Sequence, residues 1–259
     1  MALTSPQNSR LQEIRKAAKA GRPTPDGLIV AEGPHLLEEV LRSEWRAREI
    51  YGTGEALERF SGLLSKAQEA EVVEVAPRAF ASIASTETTQ GLLTLLRPRA
   101  WTWQEVTAEP ALAVVLDAIQ DPGNVGAIVR SSEAFGASGV VLGQGCARIS
   151  NGKVLRAAAG SLFRLPVIEA VTRAEILRHL GALPVRFYAL DAKAETPLQE
   201  AELRSACALL VGNEGAGISR EMLAVSDAIR IPTVRVESLN AAVACSVALF
   251  EAARQRGAA

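Results

Sequence analysis

The chain has 259 residues, of which 48% are hydrophobic and 22% are charged, a composition typical of ordinary globular proteins. This length is enough for one large domain or two ordinary ones, each with a buried core. The formal net charge is −1 and the sequence pI is about 6.2, which excludes a uniformly basic nucleic-acid-binding protein. A nucleic-acid partner would have to bind at a local basic patch.

Cysteine and histidine usage argues against a metal site. Cys146, Cys207 and Cys245 are far apart with no C-x-x-C spacing, and the chain has only two histidines. We therefore expect no bound metal and no histidine-activated nucleophile. The first residues lack an apolar signal core, and no uncharged apolar stretch reaches the roughly 18 residues of a membrane span. The expected location is cytoplasmic, without membrane contact.

The first 22 residues are polar and basic, and their pattern predicts a helix from Arg10 to Ala20 that ends at Gly21. The cations of this segment are accompanied by one acid, Glu13, so they form a candidate RNA-binding patch. A solvated helix face is the alternative. The cations are Arg10, Arg15, Lys16, Lys19 and Arg22.

Alternating strand and helix patterns continue to about residue 75 and predict a small α/β domain. The predicted strands are 28–31, 49–51 and 71–75, and the predicted helices are 33–42 and 56–70. Residues 97–110 have a proline near each end, no periodicity and two tryptophans. They indicate a linker or an edge element that packs partly on a domain.

A second α/β series begins at residue 112. The predicted strands are 112–116, 139–142, 185–190, 208–211 and 228–231, and the predicted helices are 125–135, 153–159, 173–181, 220–225 and 239–254. The last helix has Ala242, Cys245, Leu249 and Ala253 along one stripe. Either a second subunit or the sheet of the same chain is expected to cover that stripe.

Three glycine-rich segments, 121–130, 210–219 and 231–240, each follow or end an apolar run and lead into a helical pattern. The carboxyl ends of parallel strands meet at one edge of a sheet, so these loops are expected to gather where α/β proteins bind ligands. Asn124 is a candidate cap of the following helix, and Arg130 is a fixed cation suited to a phosphate. Considered singly, each loop also fits an ordinary capped turn.

Common nucleotide and hydrolase motifs are missing from the sequence. No G-x-G-x-x-G follows an early strand, and there is neither a G-x-x-x-x-G-K-[ST] loop nor a nucleophile elbow. A dehydrogenase, a P-loop enzyme and an α/β-hydrolase are therefore disfavoured.

Taken together, the three loops resemble the signature motifs of the SpoU (TrmH-like) family of RNA 2′-O-ribose methyltransferases, in the SPOUT class. The resemblance rests on Asn124-x-Gly126-x-x-x-Arg130, on Val211-Gly212-Asn213-Glu214-Gly215-x-Gly217, and on Ile231-Pro232 with Ser238-Leu239-Asn240. It covers residues 111–259 and includes the segments 153–156 and 160–166. Residues 30–33 and 89–91 resemble, more weakly, the L30e-like RNA-binding domain of many relatives.

The resemblance implies an α/β fold with two domains. Residues 1–96 would form a smaller L30e-like RNA substrate-binding domain, 97–110 a linker, and 111–259 a parallel-sheet SPOUT methyltransferase domain with a deep trefoil knot. It also implies a homodimer in which two subunits build each active site.

The same resemblance implies S-adenosylmethionine as cofactor and assigns site residues. Arg130 would be catalytic, assisted by Asn124, Glu214, Ser238 and Asn240. In our interpretation Arg130 binds the target phosphate and stabilises alkoxide charge, because a guanidinium keeps its proton. Arg156 joins the candidate RNA-binding residues. The implied cofactor-binding residues are Leu190, Val211, Gly212, Asn213, Gly215, Ile231, Pro232, Ser238 and Leu239.

The third motif departs from the family pattern. Many relatives have a glycine after the Ile-Pro pair, whereas here Thr233 follows and the stretch to Val236 is one residue short. The sequence leaves open the loop conformation around the methionine end of the cofactor.

The expected substrate is 23S rRNA, because the L30e-like domain is commoner in the rRNA-directed branch of the family. A tRNA 2′-O-methyltransferase and a non-catalytic RNA-binding factor on the same fold are the alternatives. A small-molecule methyltransferase is disfavoured by the N-terminal domain and its basic segment. The methylated nucleotide and a role in antibiotic resistance stay open.

Overall fold

The computed structural model describes residues 2–86 and 88–257, which divide into two compact units. The first unit is the chain up to Arg99 together with Arg148–Arg164, and the second is Ala100–Ala147 with the chain from Leu165 onward. The predicted boundaries at 96 and 111 kept the segment 148–164 with the C-terminal part. Its contacts group it with the first unit, and the division into domains 1–96 and 111–259 stays a prediction.

The helices and strands are numbered in chain order. The helices are α1 (Ser9–Ala20), α2 (Pro34–Leu41), α3 (Gly54–Arg59), α4 (Ser61–Leu64), α5 (Pro77–Phe80), α6 (Trp103–Val106), α7 (Pro122–Ala134), α8 (Gly152–Ala158), α9 (Arg173–Leu180), α10 (Arg220–Leu223) and α11 (Ala241–Gln255). The strands are β1 (Ile29–Glu32), β2 (Arg46–Gly52), β3 (Glu71–Glu74), β4 (Leu92–Arg97), β5 (Leu112–Asp117), β6 (Gly139–Gly143), β7 (Val167–Val171), β8 (Arg186–Leu190), β9 (Thr196–Pro197), β10 (Cys207–Gly212) and β11 (Asp227–Arg230).

The first unit contains a four-stranded sheet in the order β1-β4-β2-β3. Strand β4 pairs antiparallel with β1 and β2, and β3 pairs parallel with β2. Sequence periodicity missed β4, because residues 92–96 form a continuous buried run without polar alternation. Helix α1 packs its buried Leu11, Ile14 and Ala17 into the core of this unit.

Helix α1 ends where the sequence predicts, at Gly21, whose φ of 59° places it in the left-handed region. The single helix predicted at 56–70 is wrong, since α3 ends at Arg59 and α4 begins at Ser61, after Phe60. Phe60 has φ −103° and ψ 19°, outside the helical region, so it separates the two helices.

The segment 148–164 belongs to the first unit through specific contacts. Phe163 packs edge-on against Trp45 with ring centroids 5.0 Å apart. Arg164 forms an ion pair with Glu39 of α2, and Leu162 and Phe163 are buried. These side chains, which the sequence left among the methyltransferase residues, complete the core around α2.

The second unit contains a seven-stranded sheet in the order β7-β6-β5-β10-β8-β11-β9, with parallel pairings throughout. The predicted α/β class is thereby confirmed. Strands β7 and β9 were not predicted, because β7 has only two buried residues at its ends and β9 is two residues long. Helix α6 lies in the predicted linker, and Trp103 stacks on His179 within this unit, with ring centroids 4.4 Å apart.

Two helices of the second unit run side by side in parallel. The hydroxyls of Ser131 in α7 and Ser246 in α11 lie 2.7 Å apart. One helical turn further on, the Phe135 and Phe250 rings meet edge-on with centroids 5.9 Å apart. This constant register brings the N-terminal ends of α7 and α11 together beside the sheet edge.

Candidate active site

One polar side chain from each of the three motif loops meets in a hydrogen-bonded chain. The Asn240 amide donates to Asn124 Oδ1 over 3.1 Å, and the Asn124 amide donates to Glu214 Oε1. These residues are separated by 90 and 116 positions in the sequence. The predicted gathering of the loops at one edge is therefore confirmed for these three side chains, which we call the Asn124 cluster.

Asn124 does not cap the helix that follows it, so that part of the sequence interpretation is wrong. Asp121 is the N-cap of α7, and its carboxylate accepts the Asn124 backbone N–H at 2.8 Å. Asn124 is the third helical residue, which leaves its side chain free to join Glu214 and Asn240. Asn240 combines both roles, because its Oδ1 also accepts the backbone N–H groups of Ala242 and Val243 and caps α11.

The second loop is held by its own asparagine. Asn213 Oδ1 accepts the backbone N–H groups of Gly215 and Ala216, and its amide donates to the Ala118 carbonyl at 3.1 Å. A Cβ at position 212 would lie 2.3 Å from the Gly217 carbonyl carbon, so only glycine fits there. Asn213 and Gly212, predicted as cofactor-binding residues, thus fix the loop backbone.

Asp117 is a site residue that sequence reasoning missed. It ends β5 opposite Gly212, is 4% exposed, and accepts the Arg173 guanidinium at 2.9 Å and the Ser219 backbone N–H at 2.8 Å. Burial alone would raise the pKa of Asp117, but these donors together hold its pKa below the ordinary value. A carboxylate at the end of an apolar run was the available signal.

Arg130 lies apart from the Asn124 cluster. It follows Asn124 by six residues on α7, which is roughly 9 Å along an α-helix and about 120° around it. Its side chain is exposed and forms no hydrogen bond or ion pair with any residue in the described ranges 2–86 and 88–257. The structure therefore does not join the predicted catalytic arginine to its predicted assistants within one chain.

The predicted cofactor residues end three neighbouring strands. In the order β10-β8-β11, Val211 lies at the end of β10, Leu190 ends β8, and Ile231 follows β11. Leu190, Ile231 and Leu239 are half-buried, so each leaves apolar surface at this edge. Pro232 and Ser238 are exposed in a loop without regular secondary structure.

Arg10, the first of the predicted RNA-binding cations, has carboxylate partners for all five of its N–H groups. It donates to Glu49, Asp26 and Glu13, with the contact to Glu49 Oε1 at 2.5 Å. The hydrogen bonds to Glu49 and Asp26 raise the pKa of Arg10, and the Arg10 contact lowers the pKa of Asp26 to about 2. Arg10 is thus part of the internal structure of the first unit.

The other predicted RNA-binding cations are exposed. None of them forms an ion pair or side-chain hydrogen bond with another residue in the part of the chain that the structure describes. They are Arg15, Lys16, Lys19, Arg22 and Arg156.

Residues 30–33 and 89–91 lie near each other in the first unit, since a Cβ on Gly33 would be 3.8 Å from the Gln90 side-chain oxygen. The Gly33 backbone N–H donates to the Leu92 carbonyl at 2.9 Å, and Glu32 accepts the hydroxyls of Ser85 and Thr86 at 2.6 Å. Burial would raise the pKa of Glu32, but these hydroxyls and the Ser85 N–H hold the pKa of Glu32 below its ordinary value.

The described residues contain no group of His, Cys, Asp and Glu that could hold a metal ion. Nor does the described chain include a helix long and apolar enough to cross a membrane.

Comparison with protein families gives two matches that do not overlap, one in each part of the chain. Residues 111–250 match the SpoU rRNA methylase family. Residues 8–94 match a substrate-binding domain described as MRM3-like.

Individual relatives match both parts of the chain. The 23S rRNA (guanosine(2553)-2′-O)-methyltransferase RlmP of Bacillus subtilis is 32% identical over 96% of this chain and 97% of its own length. The AdoMet-bound rRNA methyltransferase of Sinorhizobium meliloti has a TM-score of 0.87 and 27% identity, covering 98% of this chain and 97% of the other. AviRb of Streptomyces viridochromogenes, solved with AdoMet, has a TM-score of 0.86 and 25% identity over 96% and 98% of the two chains.

The motif loops, the parallel sheet and these nearly full-length matches all point to the same family. The chain belongs to the SpoU rRNA methylase family.

Proposed function

We propose that this protein transfers a methyl group from S-adenosylmethionine to a ribose 2′-hydroxyl of RNA, with 23S rRNA as substrate. The observation that carries the proposal is the Asn124 cluster, in which one side chain of each family motif meets at the carboxyl edge of the parallel sheet. This is the edge where α/β folds bind ligands. Two of the named relatives that match along almost their whole length are rRNA methyltransferases.

The residues at the sheet edge fit the proposed cofactor. Leu190, Ile231 and Leu239 offer half-buried apolar surface for an adenine ring, and the loop 231–239 leaves backbone groups available for hydrogen bonds. Asn213 and Asp117 hold the neighbouring loop in one conformation, so little ordering is needed on binding. S-adenosylmethionine supplies an electrophilic methyl group attached to a sulfonium sulfur.

Arg130 is proposed to act on the attacking ribose. A neutral hydroxyl is a poor nucleophile, and its oxygen becomes negatively charged as it gives up its proton to solvent water on the way to attack. A guanidinium stabilises that charge and can hold the adjacent phosphate through its paired N–H groups. The Asn124 cluster would position the ribose, and the exposed Ser238 would contact cofactor or ribose.

A homodimer is proposed to bring Arg130 to a complete site. Arg130 has no partner among the described residues of its own chain, and α11 exposes Val243, Val247 and Phe250 at i, i+4 and i+7. Such an apolar stripe on a helix is typical of a contact surface. Pairing through α11 would let each subunit present its Arg130 to the site of the other.

The direct test is methyl transfer from labelled S-adenosylmethionine to unmodified 23S rRNA and to unmodified tRNA, offered separately. Label in 23S rRNA alone is expected, in the cytoplasmic setting where that RNA would be modified. Label in tRNA alone would replace the proposed substrate with the alternative one. Cofactor binding without label in free RNA or ribosomal particles would favour a non-catalytic RNA-binding factor.

A further inference from the structure

Two basic segments that are far apart in the sequence touch each other in the first unit. The Ser150 hydroxyl donates to the Gly21 carbonyl at 2.7 Å. Gly21 lies so close to Asn151 that a Cβ on it would be 3.1 Å from the Asn151 amide nitrogen. Asn151 caps α8, so the C-terminal end of α1 meets the N-terminal end of α8.

The cations around this contact have no acidic partners. Apart from Arg10, the cations on and after α1, and those on and before α8, are exposed and unpaired among the described residues. We call them the α1–α8 surface. Its members are Arg15, Lys16, Lys19, Arg22, Arg148, Lys153 and Arg156.

The carboxylates of Glu13, Asp26, Glu49 and Glu32 bind other groups in the first unit. Glu13, Asp26 and Glu49 all bind Arg10, at the opposite end of α1. Glu32 accepts the hydroxyls of Ser85 and Thr86. Positive charge is therefore concentrated at the α1–α8 contact, although the chain as a whole has a net charge of −1.

We propose that the α1–α8 surface binds the phosphate backbone of the RNA substrate as one continuous site. The inference rests on the proposed function and adds Arg148 and Lys153, while it leaves out Arg10. Long, exposed cations without an aromatic stacking platform suit sequence-independent phosphate contacts, which position RNA rather than identify its bases.

The experiment compares three pairs of substitutions that each remove two positive charges. One pair is on the α1 side (Lys19→Gln with Arg22→Gln), one is on α8 (Lys153→Gln with Arg156→Gln), and the control is Lys66→Gln with Arg78→Gln. The control residues are exposed and unpaired among the described residues of the same unit. Thermal melting checks that each variant folds. Binding of an unmodified 23S rRNA transcript is measured over a series of salt concentrations.

The logarithm of the RNA-binding constant falls with the logarithm of salt concentration, and each lost phosphate contact makes this slope shallower by about 1. The α1 pair and the α8 pair should therefore each reduce the slope by about 2, whereas the control pair should leave it unchanged. Charge-preserving Lys19→Arg and Arg156→Lys variants should keep the wild-type slope.

An unchanged slope for either test pair, or an equal change in the control, would overturn the continuous surface. Methyl transfer by the wild-type protein is measured in parallel. If the wild type methylates RNA while the slopes are unchanged, only this surface is wrong. If the wild type neither binds nor methylates RNA, the proposed function fails with it.

Discussion

Arg130 and Arg10 have the same side chain and opposite surroundings. Arg10 donates to three carboxylates, whereas Arg130 has no partner in the described chain. A guanidinium that stabilises charge in a transition state must be available to substrate, and one that closes an internal network is not. Sequence alone could not separate them, because Asp26 and Glu49 approach Arg10 only after folding.

Replacing Arg130 by Ala should lower kcat roughly 100- to 1,000-fold, the usual effect of removing one donor that stabilises developing charge. Cofactor affinity, measured by calorimetry, should stay unchanged because Arg130 lies off the sheet edge. Arg130→Lys keeps the charge but loses the paired donors, so its kcat should lie between that of the wild type and that of Arg130→Ala. Full activity of Arg130→Ala would remove this residue from the reaction.

Replacing Arg10 by Gln should destabilise the first unit without changing RNA binding. Glu49 would lose its cationic partner beside Tyr51, at a cost of roughly 1–2 kcal/mol after allowance for partial exposure. Urea unfolding measures the first effect and the salt slope of RNA binding the second. A reduced slope would instead place Arg10 among the RNA contacts.

Asp117 should make the site stability dependent on pH. Its folded pKa lies below its ordinary value, so its contribution is complete above that ordinary value and is lost as the pH falls through the folded pKa. Asp117→Asn should cost about 1–3 kcal/mol at neutral pH and weaken cofactor binding, because the amide places a donor against Arg173 or the Ser219 N–H.

The control for Asp117 is the pH profile itself. Unfolding curves of wild type and Asp117→Asn should converge as the pH falls through the acidic range, because the wild-type carboxyl then becomes neutral as well. A gap that persisted at low pH would show that the carboxylate charge is not what holds the loop.

At the scale of elements, α7 and the cap of α11 hold two members of the Asn124 cluster, and α11 exposes the proposed dimer surface. The stripe predicted on α11 is buried within the unit, with Ala242, Cys245, Leu249 and Ala253 all under 8% exposed, so packing in the same chain covers it. A second stripe, Val243, Val247 and Phe250, stays exposed. The sequence pattern predicted only the first stripe.

Val247→Glu should convert the proposed dimer to monomers, since burying an unpaired carboxylate in an apolar contact is costly. Val225→Glu is the matched control, because Val225 is 50% exposed in the same unit. Light scattering gives the mass of each variant, and activity should fall with dimer content. A dimeric, active Val247→Glu protein would exclude this helix face as the interface.

Several element boundaries were available from the sequence. Pro122 at the first helical position already indicated Asp121 as the cap of α7, and Gly21 indicated the end of α1. Strand β4 and the break at Phe60 could not be predicted from the sequence, because neither a buried strand without regular alternation nor a break between two helices gives a distinctive local signal. Tertiary contacts decide both.

For the whole molecule, the two α/β series and the order of the three loops were predictable, because parallel strands impose a common edge. The place of residues 148–164 was not, since it depends on Phe163 meeting Trp45 and Arg164 meeting Glu39, pairs more than 100 residues apart. Five cations of the α1–α8 surface were predicted to bind RNA, but the contact that joins them to Arg148 and Lys153 was not predictable, for the same reason. The cations of this surface come from both halves of the chain, and the contact of Gly21 with Ser150 and Asn151 joins the two segments.

The proposed reaction methylates a ribose rather than a base, and alkaline hydrolysis of the labelled RNA product distinguishes the two. Alkaline cleavage requires a free 2′-hydroxyl, so a 2′-O-methyl group leaves the label in an alkali-resistant dinucleotide. We expect the label of wild-type 23S rRNA product in that dinucleotide, and none with the Arg130→Ala protein. Label released in mononucleotides would mean methylation of a base and would contradict the account.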